Sequence, residues 1–359
     1  MRASLLLLAV LPACHIADAA FGRLRTEDQI RPALERAFEE VQAVRGPFDL
    51  PNLRLVTPEE RAAEMRRLLR EAADQPGFVE GARLERAFGL AISDDRAVEL
   101  YSTNVPAWYE PETDTMVIAS PWRDDAAGRM MLRHELAHAR QDQLYDLLDM
   151  RNRGFDGSQA LRWVFEGDAC LTDALAVRAT APPSDEPLWR ALPLPARFEG
   201  TEAERFQQQI AYQPYHWGSS SLARRFEESG WEAVDALLRD PPATTRAVWT
   251  RSAFVDEVPF GPPVLPPGAV AAPAFSIGMG GLAALLRTDG DESHLAQFWE
   301  TDRFVPFELD GEPGYHWVLR VRSGHAWSFE TAFANGLPGE REETVLRRGN
   351  EFVIVSVHD

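Results

Sequence analysis

The chain has 359 residues, 45% of them apolar and 26% charged, and a formal net charge of −19. That is the composition of a soluble globular protein long enough for two or three domains. The acidic excess repels phosphate backbones and argues against nucleic acid as a partner, and all 37 basic residues are arginine, a coding bias without functional content.

The opening stretch, MRASLLLLAVLPACHIADAA, places one arginine before an apolar run from Leu5 to Leu11 and then small residues. This is the layout of a secretory signal, too short for a stop-transfer helix. Residues 1–19 therefore read as a leader, and the protein as exported, held in the cell envelope or secreted. Two cleavage sites compete. LPAC at 11–14 resembles a bacterial lipobox and makes Cys14 the lipidated first residue, whereas ADA at 17–19 resembles an ordinary signal-peptidase site. A lipid anchor on Cys14 is the one membrane contact expected. Either cut leaves Cys170 without a disulfide partner, in an apolar helix pattern that suits a small buried residue.

After the leader, 26–45 and 58–90 carry Glu, Arg, Ala and Leu at helical spacing, with LRLVT at 53–57 a short strand between them. Thr57 followed by PEE is a helix start: a cap, a proline, then acids in the first turn. AVELYS at 97–102 is strand-like, and AWYEPETDTMVIAS at 107–120 reads as two strands around a turn at PETD. Asp124 is expected to cap a helix running to about Leu148, followed by a second helix from about Ser158 to Ala179. A proline-rich break at 182–195 precedes helical patterns near 201–212, 217–229 and 231–239. VPFGPPVLPPGAVAAPA at 258–274 has the composition of a linker. Beyond it come helices near 278–287 and 292–300, then strands at 315–323 and 351–357. The expected organisation is a mostly helical α+β domain over 20–257 and a smaller α+β unit over 275–359.

The chemistry concentrates in RHELAHARQDQ at 133–143. Residues four apart share one helix face, so His134 and His138 can point both imidazoles at one ion. Glu135, on the adjacent face, can reach a water on that ion, which is the H-E-x-x-H arrangement with the glutamate as general base. A catalytic zinc needs a third protein ligand, and FEGDA at 165–169 offers Glu166 on the next expected helix. Packed antiparallel, the two helices would bring Glu166 over the histidines. Gly167 beside it suits a close approach of another backbone. Metal-bound imidazoles donate their second N–H to a carboxylate or carbonyl, and Asp142, Asp168 and Asp173 are the candidates, with no choice among them. In QPYHWG, Tyr215 or His216 could stabilise an oxyanion, and aromatic packing serves equally well as an account of that stretch. The remaining histidines, His294, His316, His325 and His358, stand isolated.

HELAHARQDQ, FEGDA, PYHWG, GWEAVDALLRDPPATT and FWETDR follow one another in this order. Together they resemble bacterial exported zinc metallopeptidases of the gluzincin type, over most of the chain from about Trp108 to Arg303. The resemblance implies His134, His138 and Glu166 as zinc ligands, Glu135 as base, and Tyr215 as a recurrent tyrosine of the group. It implies a zincin-like fold, with a small sheet above the active-site helix, whose edge strand MVIAS could hold an extended peptide by strand addition. Two departures stand out. Cys170 occupies the place of an aspartate four residues after the ligand glutamate, and Arg246 and Thr250 replace a glutamate and a histidine expected after PP. The expectation is a zinc-dependent peptidase acting on a peptide or protein, against the alternative of an exported, zinc-stabilised binding or scaffold protein without catalysis.

Overall fold

The computed structural model describes residues 26–119, 122–147, 152–181, 188, 198–250, 260–287, 293–334, 337–338 and 343–356. The leader with Cys14, the proline-rich break apart from residue 188, and His358 lie outside the described residues. The architecture is α+β and mostly helical. The first part contains α1 (Glu27–Arg45), β1 (Asn52–Val56), α2 (Pro58–Ala72), α3 (Pro76–Ala87), α4 (Asp94–Asn104), β2 (Ala107–Glu110) and β3 (Thr115–Ala119). Then come α5 (Ala126–Tyr145), α6 (Phe155–Thr180), α7 (Glu202–Gln213), α8 (Ser219–Arg239) and α9 (Thr245–Thr250). The last part has β4 (Val270–Ala271), α10 (Gly278–Arg287), β5 (Trp299–Leu309), β6 (Glu312–Val321), α11 (Ala326–Ala334), β7 (Glu343–Arg348) and β8 (Glu351–Ser356).

The helix starts follow their capping chemistry. Thr57 accepts from the Glu60 N–H while Glu60 reaches back to the Thr57 N–H, as the PEE pattern requires. On α5 the cap is Asp125, one residue later than expected, its side chain accepting from the Gly128 N–H. The stretch 97–102 is helical, as part of α4, where strand was expected. Asp94 and Asp95 supply an acidic first turn, and Val98 packs in the same apolar cluster as Trp108 and Val117.

Three strands form the first sheet in the order β1-β3-β2, with β3 parallel to β1 and antiparallel to β2. MVIAS is thus the central strand, not an edge. Its neighbours on both sides use its backbone groups, and strand addition there is closed. The sheet edge next to α5 is β2. Both faces of the sheet are covered, which is why β3 is buried along its whole length. Tyr109, Met116 and Ile118 join the main core with α5, and Trp108 and Val117 join a second cluster with Met65 and Leu68 of α2.

The second sheet runs β4-β5-β6-β8-β7, all antiparallel. Residues on both sides of 258–274 share one core. Phe88 at the end of α3 packs on Phe304 and Tyr315, at ring-centroid distances of 5.8 and 4.5 Å. Part of the proline-rich stretch itself is strand, because β4 pairs with β5. Asp302 of β5 is the joint. Its carboxylate accepts from Ser276 Oγ, the Ile277 and Gly278 N–H groups at the start of α10, and the indoles of Trp299 and Trp317, at 2.6–3.2 Å. The FWETDR stretch therefore folds around a structural carboxylate.

Candidate metal centre

Helices α5 and α6 pack antiparallel, and their polar pairs show the register. Arg133 meets Asp173 at 2.7 Å, His134 meets Glu166 at 3.0 Å, and Gln141 reaches the Phe165 carbonyl at 2.9 Å. Gly167 permits the third neighbour. A Cβ there would lie 2.7 Å from the Gly218 carbonyl carbon, so only glycine lets the chain leading into α8 cross α6 at this level. That crossing segment, Pro214–Gly218, is one wide π-type turn, and the Ser219 hydroxyl donates to the Tyr215 carbonyl within it.

Among the described residues, His134, His138 and Glu166 form the one group of three whose ligand atoms could hold a metal ion, all within 4.8 Å of one another. The two Nε2 atoms are 3.1 Å apart, and Glu166 Oε2 lies 3.4 Å from that of His138. All three side chains are buried, exposed by 1% or less. Two nitrogens and one carboxylate oxygen converging from three sides suit a divalent transition metal. The orphaned atoms fit as well. Glu166 Oε1, both oxygens of Glu135 and the Tyr215 hydroxyl are buried without a hydrogen-bond partner. Such groups are costly to bury unless something polar binds them.

The electrostatics follow from burial and proximity. Burial pushes the Glu135 carboxyl up to about 8. The nearby His138 imidazole offsets part of the shift, as does the Tyr109 backbone N–H on β2, which faces this carboxyl but falls short of a hydrogen bond. Burial lowers the pKa of His134. It opposes charge on His138 too, yet the Glu166 carboxylate raises that imidazole to about 9. Burial would also raise Glu166, but the two imidazoles win and hold it well below the usual carboxylate range. A cation replaces the shared proton in such a cluster, since ligation requires deprotonated imidazoles.

Tyr215 stands beside the triad, its ring stacked on His134 at 5.7 Å. His216 instead stacks on Tyr212 at 6.4 Å. Of the three candidate aspartates, Asp142 accepts from the Tyr109 hydroxyl and the Leu147 N–H, and Asp173 pairs with Arg133. Asp168 is the one linked to a histidine, and only through a residue the sequence reading passed over. Gln141 Oε1 lies 2.7 Å from His138 Nδ1, and Gln141 Nε2 lies 2.8 Å from Asp168 Oδ2. Its position three residues after His138, on the same helix face, was the available signal. Arg45, which pairs with Asp168 at 3.1 Å, gave no local signal at all.

Cys170 is a buried thiol whose pKa burial pushes well up, and it stays outside the ligand group. Arg246 donates to the Glu300 carbonyl and so ties α9 to the second sheet, and the Thr250 hydroxyl donates to the Arg246 carbonyl within α9. No helix among the described residues is long and apolar enough to cross a membrane. Compared with protein-family models, with curated proteins and with solved structures, the chain finds no match.

Proposed function

We propose that the protein is a zinc-dependent hydrolase, a peptidase with a zincin-like fold. The observation that carries this reading is the pairing of a three-ligand set with an unpartnered carboxylate, Glu135, between the ligands and the edge strand β2. His134, His138 and Glu166 would hold the ion and leave a further position open. When bound, zinc supplies a Lewis acid and lowers the pKa of a bound water to about 7. Glu135 accepts the proton of the attacking water and returns it to the leaving amine. The Tyr215 hydroxyl, buried and unpartnered, donates to the oxyanion that develops on the carbonyl. The outer edge of β2 is the place for an extended peptide to add as a strand, in register with Glu135. The leader-like start fits export, with a lipid on Cys14 as an anchor.

One observation favours a second reading, a zinc-stabilised scaffold without catalysis. The ligands, Glu135 and Tyr215 are all exposed by 1% or less, a degree of burial usual for a structural ion. Glu135→Gln separates the two. The enzyme reading expects full zinc content and a loss of peptide hydrolysis of about 10²–10⁴-fold. Undiminished cleavage by this variant would sink the mechanism, and absence of cleavage and of inhibitor binding in the zinc-loaded wild type would favour the scaffold.

A further inference from the structure

We propose that Gln141 is the positioning residue of the metal centre, locked in place by a buried chain running through Asp168 to Arg45. The inference rests on the reading of His134, His138 and Glu166 as ligands.

An imidazole that ligates through one nitrogen needs its other nitrogen held, because that hydrogen bond fixes both the tautomer and the plane of the ring. For His138 the partner is the Gln141 side chain, 2.7 Å from Nδ1. The other end of the amide decides its orientation. It faces two groups that only accept, the Phe165 carbonyl at 2.9 Å and the Asp168 carboxylate at 2.8 Å. That end must therefore be the NH2 group, and the end facing His138 must be the oxygen. An oxygen can only accept, so His138 carries a proton on Nδ1 and turns Nε2 toward Glu166, the side on which a metal would bind.

The chain continues beyond Asp168. Asp168 Oδ1 forms an ion pair with the Arg45 guanidinium at 3.1 Å, and Arg45 donates a hydrogen bond to Asp235 at 2.7 Å and lies 3.7 Å over the Trp231 ring. The Arg45 and Asp168 side chains are each 1% exposed. Asp168 faces a donor on each side, the Gln141 amide and the Arg45 guanidinium, and four helices contribute: α5 with His138 and Gln141, α6 with Asp168, α1 with Arg45 and α8 with Asp235. The orientation of one ligand is thus tied to the docking of the first helix.

The test uses three variants of the purified chain and zinc affinity measured by chelator competition. Gln141→Leu keeps the volume and removes all three side-chain hydrogen bonds; a loss of about ten- to hundredfold in affinity is expected. Gln141→Glu keeps an acceptor for His138 but sets a carboxylate against Asp168, and should weaken binding as well. Adding Asp168→Asn to Gln141→Glu exchanges amide and carboxylate, restores a donor–acceptor pair, and should recover most of the affinity. A general packing role would show no such rescue. Affinity of Gln141→Leu within about twofold of wild type, or a double variant no tighter than Gln141→Glu, overturns the proposal while the metal reading stands. No zinc uptake by the wild type overturns both. Should Gln141→Leu fail to fold, imidazole nitrogen NMR of the wild type decides: a proton on His138 Nδ1 is expected, and a bare Nδ1 overturns the proposal.

Discussion

Asp302 and Glu135 are both carboxylates shut away from solvent, one in each half of the chain. Asp302 accepts five hydrogen bonds, from a hydroxyl, two backbone N–H groups and two indoles. Glu135 accepts none. Burial raises the pKa of both; at Asp302 the hydrogen-bond donors around it oppose the rise, and at Glu135 the charge of the neighbouring His138 imidazole and the Tyr109 N–H do. The contrast separates two uses of buried charge. A saturated carboxylate organises its surroundings and has nothing left to offer a ligand. An unsaturated one destabilises the fold and persists where something else is to bind.

The largest effect on stability should come from breaking the saturated site. Asp302→Ala strands two indole and two backbone donors at the start of α10, and a loss of about 3–5 kcal/mol is expected in urea unfolding. Zinc content should remain that of the wild type in the folded fraction. A loss below about 1 kcal/mol would mean that the five hydrogen bonds contribute little beyond what water offers, and the comparison would fail. The opposite and smaller effect is expected at the unsaturated site. Glu135→Met replaces an unpartnered carboxyl by an apolar side chain of similar length, and should stabilise the metal-free chain by about 1 kcal/mol while abolishing hydrolysis. Destabilisation comparable to that of Asp302→Ala would show that Glu135 has partners and belongs with the structural class.

How far the sequence revealed these two regions differs for physical reasons. The histidine pair is a local feature, since helical periodicity alone puts His134 and His138 on one face. Glu166 needed one more step, the antiparallel packing of α5 and α6, and Gly167 beside it marked the close crossing by Gly218. Gln141 was within reach of the same periodicity. Arg45 was not, because its partners Asp168 and Asp235 lie far along the chain and no local pattern encodes such a pairing. The second sheet was only half legible. Strand β7 is an edge strand with a mostly exposed face, so it lacks the alternation that marks β8. Strand β5 carries Glu300, Asp302 and Arg303 at its start, and the reason for a buried aspartate there becomes visible only once Trp317 and α10 surround it. The 97–102 stretch looks strand-like through Val98 and Tyr101, but Ala97, Glu99 and Leu100 are good helix formers, and the helix they form packs Val98 in the cluster under the first sheet.

The measurement that bears most directly on the account is the metal content of the purified chain by mass spectrometry, beside a His138→Ala control. About one zinc per chain in the wild type, lost in the control, is the predicted result. A wild type that takes up no zinc even when incubated with it, or a control that retains it, would contradict the assignment of His134, His138 and Glu166 as a metal centre.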